Sequence, residues 1–504
     1  MFNLPAAIKP KKIIFGLIIL FWLFMTLSLL LRQFPAGSET AAYKPFLSKN
    51  RLLSDQWMGI YFNGKPVGFL HSSIEPYLIK KGVSGFHITS RTWMNFLLLR
   101  KRNRVWFNAD AVVDDDYRLK NFSFDFSSGA HEMKVKGDVL GDVIALKINS
   151  AGNTSQRNIK LPKEKGVVLA SILSPFQSFG ALKSGEHYHV KVFNPFTLEI
   201  EPVEINVGEK GPVEIDGKEQ EAFLVKTEYR GMEQAAWVDE EGAILKEETG
   251  IGWTMIREDM SVATKLYKNM SKSDAELAEM VSLTSNIDLP REDVDYLKIA
   301  LFGVPDGFDL ESQRQKIVAS EPDKKIIEIK RDSFSPREAI TLPCGDFSEF
   351  RQATVFVQSD DARIKDKAEQ IVSGEKNSLL AAEKINTWVF EHLAKTPVLS
   401  VPSAVDVLKT REGDCNEHTV LFVALARAAG IPAKINVGLA YSSGRFYYHA
   451  WPSVYTGKWL DMDPTFGETF ADAAHIKLLE GDLNKQLDIV RLLGKIKLEV
   501  IEYK

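Results

Sequence analysis

The chain of 504 residues has two cysteines, Cys344 and Cys415. Two thiols exclude a disulfide-built scaffold, and a bridge between them would leave none for chemistry. It has no surplus of charge: 63 Lys and Arg stand against 67 Asp and Glu, a formal net charge of −4. There is no bulk basic footprint and no acidic tail, so no nucleic-acid partner is expected. Metal-ligand spacing is missing among His71, His87, His131, His187 and His189. His187-x-His189 comes nearest, but a third ligand is lacking, so no metal or cofactor is expected. No internal repeat is visible. What is present is ordinary: 45% hydrophobic and 26% charged residues exclude a disordered or collagen-like chain. The length suits about three domains of roughly 150 residues.

One long apolar run stands out. Residues 13–31 read IIFGLIILFWLFMTLSLLL without a charge, long enough to cross a hydrocarbon core of about 30 Å. Lys9, Lys11 and Lys12 precede it, and after Arg32 no basic residue follows until Lys44. The positive-inside rule then keeps residues 1–12 in the cytoplasm and exports the rest. A cleaved signal is the competitor, but the run is long for one and Ala36-Gly37-Ser38 is a poor cleavage site. The expectation is a single-pass protein of the cell membrane. The bilayer is its partner, and the bulk of the chain lies in a bacterial periplasm or at the cell surface. Asn153-Thr154-Ser155 matches a glycosylation sequon, a tripeptide common by chance.

Beyond a linker at 32–53 the text is strand-like to about residue 268. Asn63-Gly64 and Asp216-Gly217 separate alternating apolar stretches as hairpin turns do. Phe122, Phe124 and Phe126 alternate. A β-rich domain is expected at 54–160, with a second, or its continuation, at 161–268. Residues 269–350 read as a mixed connector, with a helix opened by the capping pattern Ser273-x-x-Glu276. The period then changes to that of helices: Asp360 or Asp361 to Ser373, stopped by Gly374; residues 379–393; and a third opened by Ser403-x-x-Asp406. A further domain is expected at 351–480, followed by a strand-like tail at 481–504.

Chemistry concentrates in residues 411–467. Asp414 is placed to cap a helix that begins at Cys415 and ends at Gly430-Ile431-Pro432. A thiol in the first turn faces the positive end of the helix dipole, which favours the thiolate. Its N–H groups could also stabilise an oxyanion. Residues 446–455 read as a strand, 456–458 as a turn and 459–463 as the returning strand. If Tyr455 pairs with Trp459, opposed residue numbers sum to 914, and His449 and Asp463 become diagonal neighbours on one face. Asp461 shares that face one step further away. A carboxylate beside an imidazole fixes its tautomer, and an imidazolium beside Cys415 would lower the thiol pKa. His418, one turn after Cys415, is a possible supporting residue, as is Trp451. Cys344 reads as structural.

Gly-Asp-Cys415 opening a helix, His449-Ala-Trp451, and Trp459 followed four residues later by Asp463-Pro-Thr465 resemble the transglutaminase-like superfamily. The resemblance covers roughly residues 355–480. It implies an α+β, papain-like core at the carboxy-terminal end, preceded by the antiparallel β-rich region. It also implies Cys415 as nucleophile, His449 as general base and Asp463 as orienting carboxylate. By the same resemblance the reaction runs through a thioacyl enzyme on an amide or peptide carbonyl. Water then hydrolyses it, slightly favoured here, or an amine transamidates it. The substrate would be a protein or peptide, with cell-wall peptide one candidate. The calcium sites of animal transglutaminases have no counterpart cluster. The competing expectation is a non-catalytic envelope scaffold carrying a degenerate domain of this type.

Overall fold

The computed structural model describes residues 38–39, 54–80, 83–115, 118–129, 131–150, 153–162, 167–169, 182–215, 217–268 and 273–504, apart from 274, 279, 291–293, 399, 402 and 482. The apolar run at 13–31 lies outside the described residues. Among those described, no helix is long and apolar enough to cross a membrane.

The amino-terminal text folds as alternation demands. Along His131–Leu140, Met133 and Val135 are buried while Lys134 and Lys136 are exposed, the period-two signature of a strand with one covered face. From Ser54–Phe62 to Asn153–Lys160, each strand pairs antiparallel with the next. A second run, from His187–Asn194 to Trp253–Arg257, does the same. Trp253–Arg257 then pairs with Ser54–Phe62, so both runs belong to one 16-stranded sheet. Its apolar faces meet. Phe122 packs on Phe193 at 5.1 Å between ring centroids, and Phe124 on Phe196 at 4.8 Å. The Asn63-Gly64 turn has φ of 47° and 75°, the two left-handed residues that a type I′ hairpin requires.

The helix expected from Ser273 does not form among the described residues. Ser273 Oγ instead donates to the Pro66 carbonyl at 2.6 Å. The Glu276 carboxylate accepts the Leu99 and Arg100 N–H groups at 3.0 and 2.9 Å. Residue 276 bridges to Leu97. The same residue types that cap helices here terminate a strand hairpin.

The carboxy-terminal part is a separate core built on four helices: α1 (Ala362–Val372), α2 (Ser378–His392), α3 (Ala404–Thr410) and α4 (Cys415–Ala428). Asp361 caps α1 through the Arg363 N–H, and Ser373 ends it at φ 51°. Helix α4 is buried on all sides from Glu417 to Arg427. One face packs on a sheet of β1 (Ala433–Ser442), β2 (Arg445–Tyr455), β3 (Trp459–Asp461) and β4 (His475–Glu480). The order is Ser282–Thr284, β2, β1, β4, with β3 also on β2. The segment expected as a connector and the carboxy-terminal tail share a second, four-stranded sheet. There Tyr296–Phe302 lies between Lys324–Lys330 and Lys497–Tyr503. The architecture is thus α+β at the carboxy-terminal end and strand-rich, antiparallel sheet elsewhere. The two parts meet through Ser150 Oγ donating to Asp406 at 2.8 Å and an Arg230–Asp488 ion pair at 3.2 Å.

Candidate active site

The thiol is placed by its helix cap. Asp414 accepts the Asn416 N–H at 2.9 Å, and Glu417 reaches back to the Asp414 N–H at 2.8 Å, closing a capping box. Gly413 permits this: a Cβ there would lie 2.3 Å from the Glu417 Cβ. The Thr396 N–H fixes the Gly413 carbonyl at 2.8 Å, and Ser400 bonds the Glu417 carboxylate. Cys415 is the first residue of α4, and the Ala450 N–H of β2 hydrogen-bonds its sulfur. The thiol therefore lies against the strand residue next to His449. The expected lowering of its pKa is reversed. Burial, then the negative charges of Asp414, Glu417 and Asp463, push the thiol well above its ordinary value. Those carboxyl groups and the lost hydration outweigh the helix dipole.

The hairpin has the expected register, with Tyr455 opposite Trp459 and Ser453 opposite Asp461. The returning strand, however, stops at Asp461. The Met462 N–H turns to the Pro452 carbonyl, and Asp463 enters a turn closed by its bridge to Glu468. From there Asp463 Oδ2 accepts from His449 Nε2 at 2.6 Å. Its Oδ1 accepts the Thr465 and Phe466 N–H groups at 2.6 and 3.1 Å. Burial pushes this carboxyl up, but two imidazoles outweigh it and hold it well below the usual carboxylate range. With Nε2–H on the carboxylate, Nδ1 of His449 is left as the nitrogen for proton transfer. Phe466, exposed, lies parallel to the His449 ring at 4.9 Å.

The other candidates separate from this group. Asp461 takes Trp451 Nε1 at 3.1 Å and Asn436 Nδ2 at 3.0 Å, with Arg314 at 3.8 Å, so it does not orient His449. Trp451 is fully buried, and packing is its visible role. His418 is buried with Nδ1 on the Asp414 carbonyl at 2.7 Å, and burial lowers its pKa. It braces the cap from below. Cys344 is a buried free thiol, and no bridge joins it to Cys415. His187 bonds Asn206, and His189 lies 3.9 Å from Glu204 on the neighbouring strand.

Sequence reasoning missed His475, the first residue of β4. Its Nε2 meets Asp463 Oδ2 at 3.0 Å and its Nδ1 meets Asp472 Oδ1 at 2.9 Å. Burial lowers its pKa, but the two carboxylates outweigh that and push it up to about 10. The available signal was a histidine opening an apolar strand, three residues after an aspartate. Ligand atoms of His449, Asp463 and His475 lie within 4.8 Å of one another, close enough for a metal. Hydrogen bonds to one carboxylate oxygen already account for the arrangement. Glu468, Asp472 and His475 form the other such group among the described residues.

The site thus joins a helix start carrying a thiol to a strand whose histidine holds an aspartate. The profile described as the transglutaminase-like superfamily matches residues 365–464, and this segment is a transglutaminase-like core domain. An uncharacterised protein of Haemophilus influenzae is 32% identical over 110 residues, which are 20% of this chain and 30% of that protein. The chain thus spans about a third of that relative's length. A candidate cysteine protease from Cytophaga hutchinsonii is similar in structure at 18% identity and a TM-score of 0.31, covering 42% of this chain and 86% of that one. A β-barrel-like protein of unknown function from Brucella abortus is similar at 11% identity and a TM-score of 0.27, covering 41% of this chain and 94% of that one.

Proposed function

We propose that the chain is a thiol enzyme that acylates Cys415 from an amide or peptide carbonyl and passes the acyl group to water. The observation that carries this is α4, which opens with Cys415 and is pinned to β2 by Thr419 Oγ1 donating to the Ala450 carbonyl at 2.9 Å, next in the chain to a His449 whose Nε2 meets Asp463 at 2.6 Å. Nδ1 of His449 takes the thiol proton as sulfur attacks the carbonyl. The same proton goes to the leaving amine as the C–N bond breaks, and water then cleaves the thioester. A thiol held neutral at rest suits this order, because its proton moves as the bond forms. Protein or peptide substrates, cell-wall peptide among them, suit a reaction on amides. The run at 13–31 supports an anchored enzyme of the cell envelope.

Incubating the protein with an activated acyl probe should give a mass increase at Cys415 that Cys415→Ala abolishes. Unchanged labelling in that variant would remove the assignment. Adding a primary amine decides between fates: a hydrolase releases the free acid, a transamidase the amide.

A second reading, a non-catalytic scaffold, is favoured by the burial that disfavours the thiolate and by the size of the sheet. It expects no acylation and a Cys415→Ala strain that behaves as wild type.

A further inference from the structure

We infer that His475 is a positioning residue of this site: a buried imidazolium that shares Asp463 with His449 and keeps that carboxylate from clamping a proton on His449. The inference rests on the Cys415–His449–Asp463 reading above and adds a residue to it.

The charge follows from hydrogen-bond counting. A neutral imidazole has one N–H donor and one bare acceptor nitrogen. Here both ring nitrogens face carboxylate oxygens, Asp463 Oδ2 at 3.0 Å and Asp472 Oδ1 at 2.9 Å. A carboxylate only accepts, so a neutral ring would set a lone pair against an anion in a site where His475 is 3% exposed. Only the doubly protonated ring satisfies both contacts. The raised pKa agrees. The carboxylates favour the charge, and the cations Arg314 and Lys395 oppose it. Glu468 lies 4.0 Å from Nδ1. Asp472 is fixed by the Ala474 N–H at 2.9 Å, and Arg314 lies behind it, bonded to the Asp472 carbonyl. Lys395 interacts electrostatically with Asp463. Trp451 and Phe466 flank the His475 ring at 5.3 and 5.9 Å.

The consequence falls on His449, whose ring centroid is 5.7 Å from that of His475. Without His475, the buried Asp463 would present a full negative charge to His449 alone and hold its proton. With His475 in place, Asp463 is already paired. It still orients His449 through Oδ2, while a second positive charge nearby makes protonation of His449 less favourable.

The test uses the full chain with isotopically labelled histidine and does not need a substrate. In His475→Gln, the side-chain amide keeps an N–H for Asp463 but removes the charge. The midpoint of His449, followed by NMR against pH, should rise by about one to two pH units, the size expected for two charges at this separation and an effective dielectric near 20. The pH at which iodoacetamide alkylates Cys415, read by peptide mass spectrometry, should shift with it. A folded variant with an unmoved His449 midpoint reduces His475 to a structural role and overturns the inference. Should His475→Gln not fold, the unmodified protein decides. The His475 ring should remain doubly protonated through pH 8, and a neutral ring there overturns the inference equally. If His449 shifts as expected while Cys415→Ala leaves acyl labelling intact, the enzymatic reading fails and the positioning inference stands.

Discussion

At the scale of single residues, two aspartates two positions apart have parted company. Asp463 sits in a turn, takes two backbone N–H groups on one oxygen and two histidines on the other. Asp461 is the last residue of β3 and serves Trp451 and Asn436. The sequence places both on the face of His449, and only the end of β3 separates them. Asp463→Asn keeps size and part of the hydrogen bonding but loses the charge. The expected result is a fall of about 10²- to 10⁴-fold in the rate of Cys415 acylation, the range for losing positioned acid–base help. Asp461→Asn should leave that rate within a few-fold and cost about 1–3 kcal/mol of stability, because a buried acceptor is exchanged for a donor. Stopped-flow acylation and urea unfolding of the two variants separate the roles. Equal acylation losses in both would contradict the assignment.

At the scale of elements, α4 organises the site. Its first turn holds the thiol, and its remaining turns are core: Leu421, Phe422 and Leu425 are fully buried. Leu421→Ala should cost about 2–5 kcal/mol, the usual range for deleting a well-packed leucine. Gly413→Ala tests the cap instead. Its Cβ would meet the Glu417 side chain at 2.3 Å, so Glu417 must leave the Asp414 N–H and the start of the helix loosens. Faster alkylation of Cys415 is expected, with a lower Tm; an unchanged alkylation rate would show that the cap does not place the thiol. This helix was legible because its signals are local. Asp414 and Gly430-Ile431-Pro432 mark its ends within one chain segment. The hairpin register followed likewise from a three-residue turn. What escaped the sequence is pairing at long range. Tyr296–Phe302 takes its neighbour from Lys497–Tyr503, some 200 residues away, so the intervening text read as connector and tail. His475 was missed for the same reason. Its partners, Asp463 and Asp472, lie on the turn before it, and nothing in the spacing reveals that the turn folds back onto β4. Ser273 and Glu276 show the converse error, in which correct cap residues were read without the strand edge they actually serve.

At the scale of the whole molecule, charge is buried where the chain must be pinned, and this makes stability depend on pH. Arg230 joins Glu201 of the large sheet to Asp488 of the carboxy-terminal part, and His475 pins the turn that carries Asp463. His475 has a folded pKa of about 10 against 6.5 when unfolded. A raised pKa means that the folded state binds the proton more tightly. Its stabilisation is therefore complete below about pH 6.5 and is lost as pH climbs towards 10, at roughly 1.4 kcal/mol per unit. The Cys415 thiol, raised by burial, adds the same sign above its unfolded pKa, since unfolding frees it to ionise. Asp463 works in the opposite direction. Its folded pKa is lowered, so its contribution is present above the unfolded value near 4 and fades as pH falls below it. The urea midpoint should accordingly be highest between about pH 5 and 6.5 and decline towards pH 10. In His475→Gln the total decline up to pH 10 should be smaller than in the wild type, its last part being the thiol's alone. A wild-type midpoint that stays level from pH 6.5 to 10 would mean that the buried charge at His475 is not coupled to folding, and the network around Asp463 would then have to be held by packing alone.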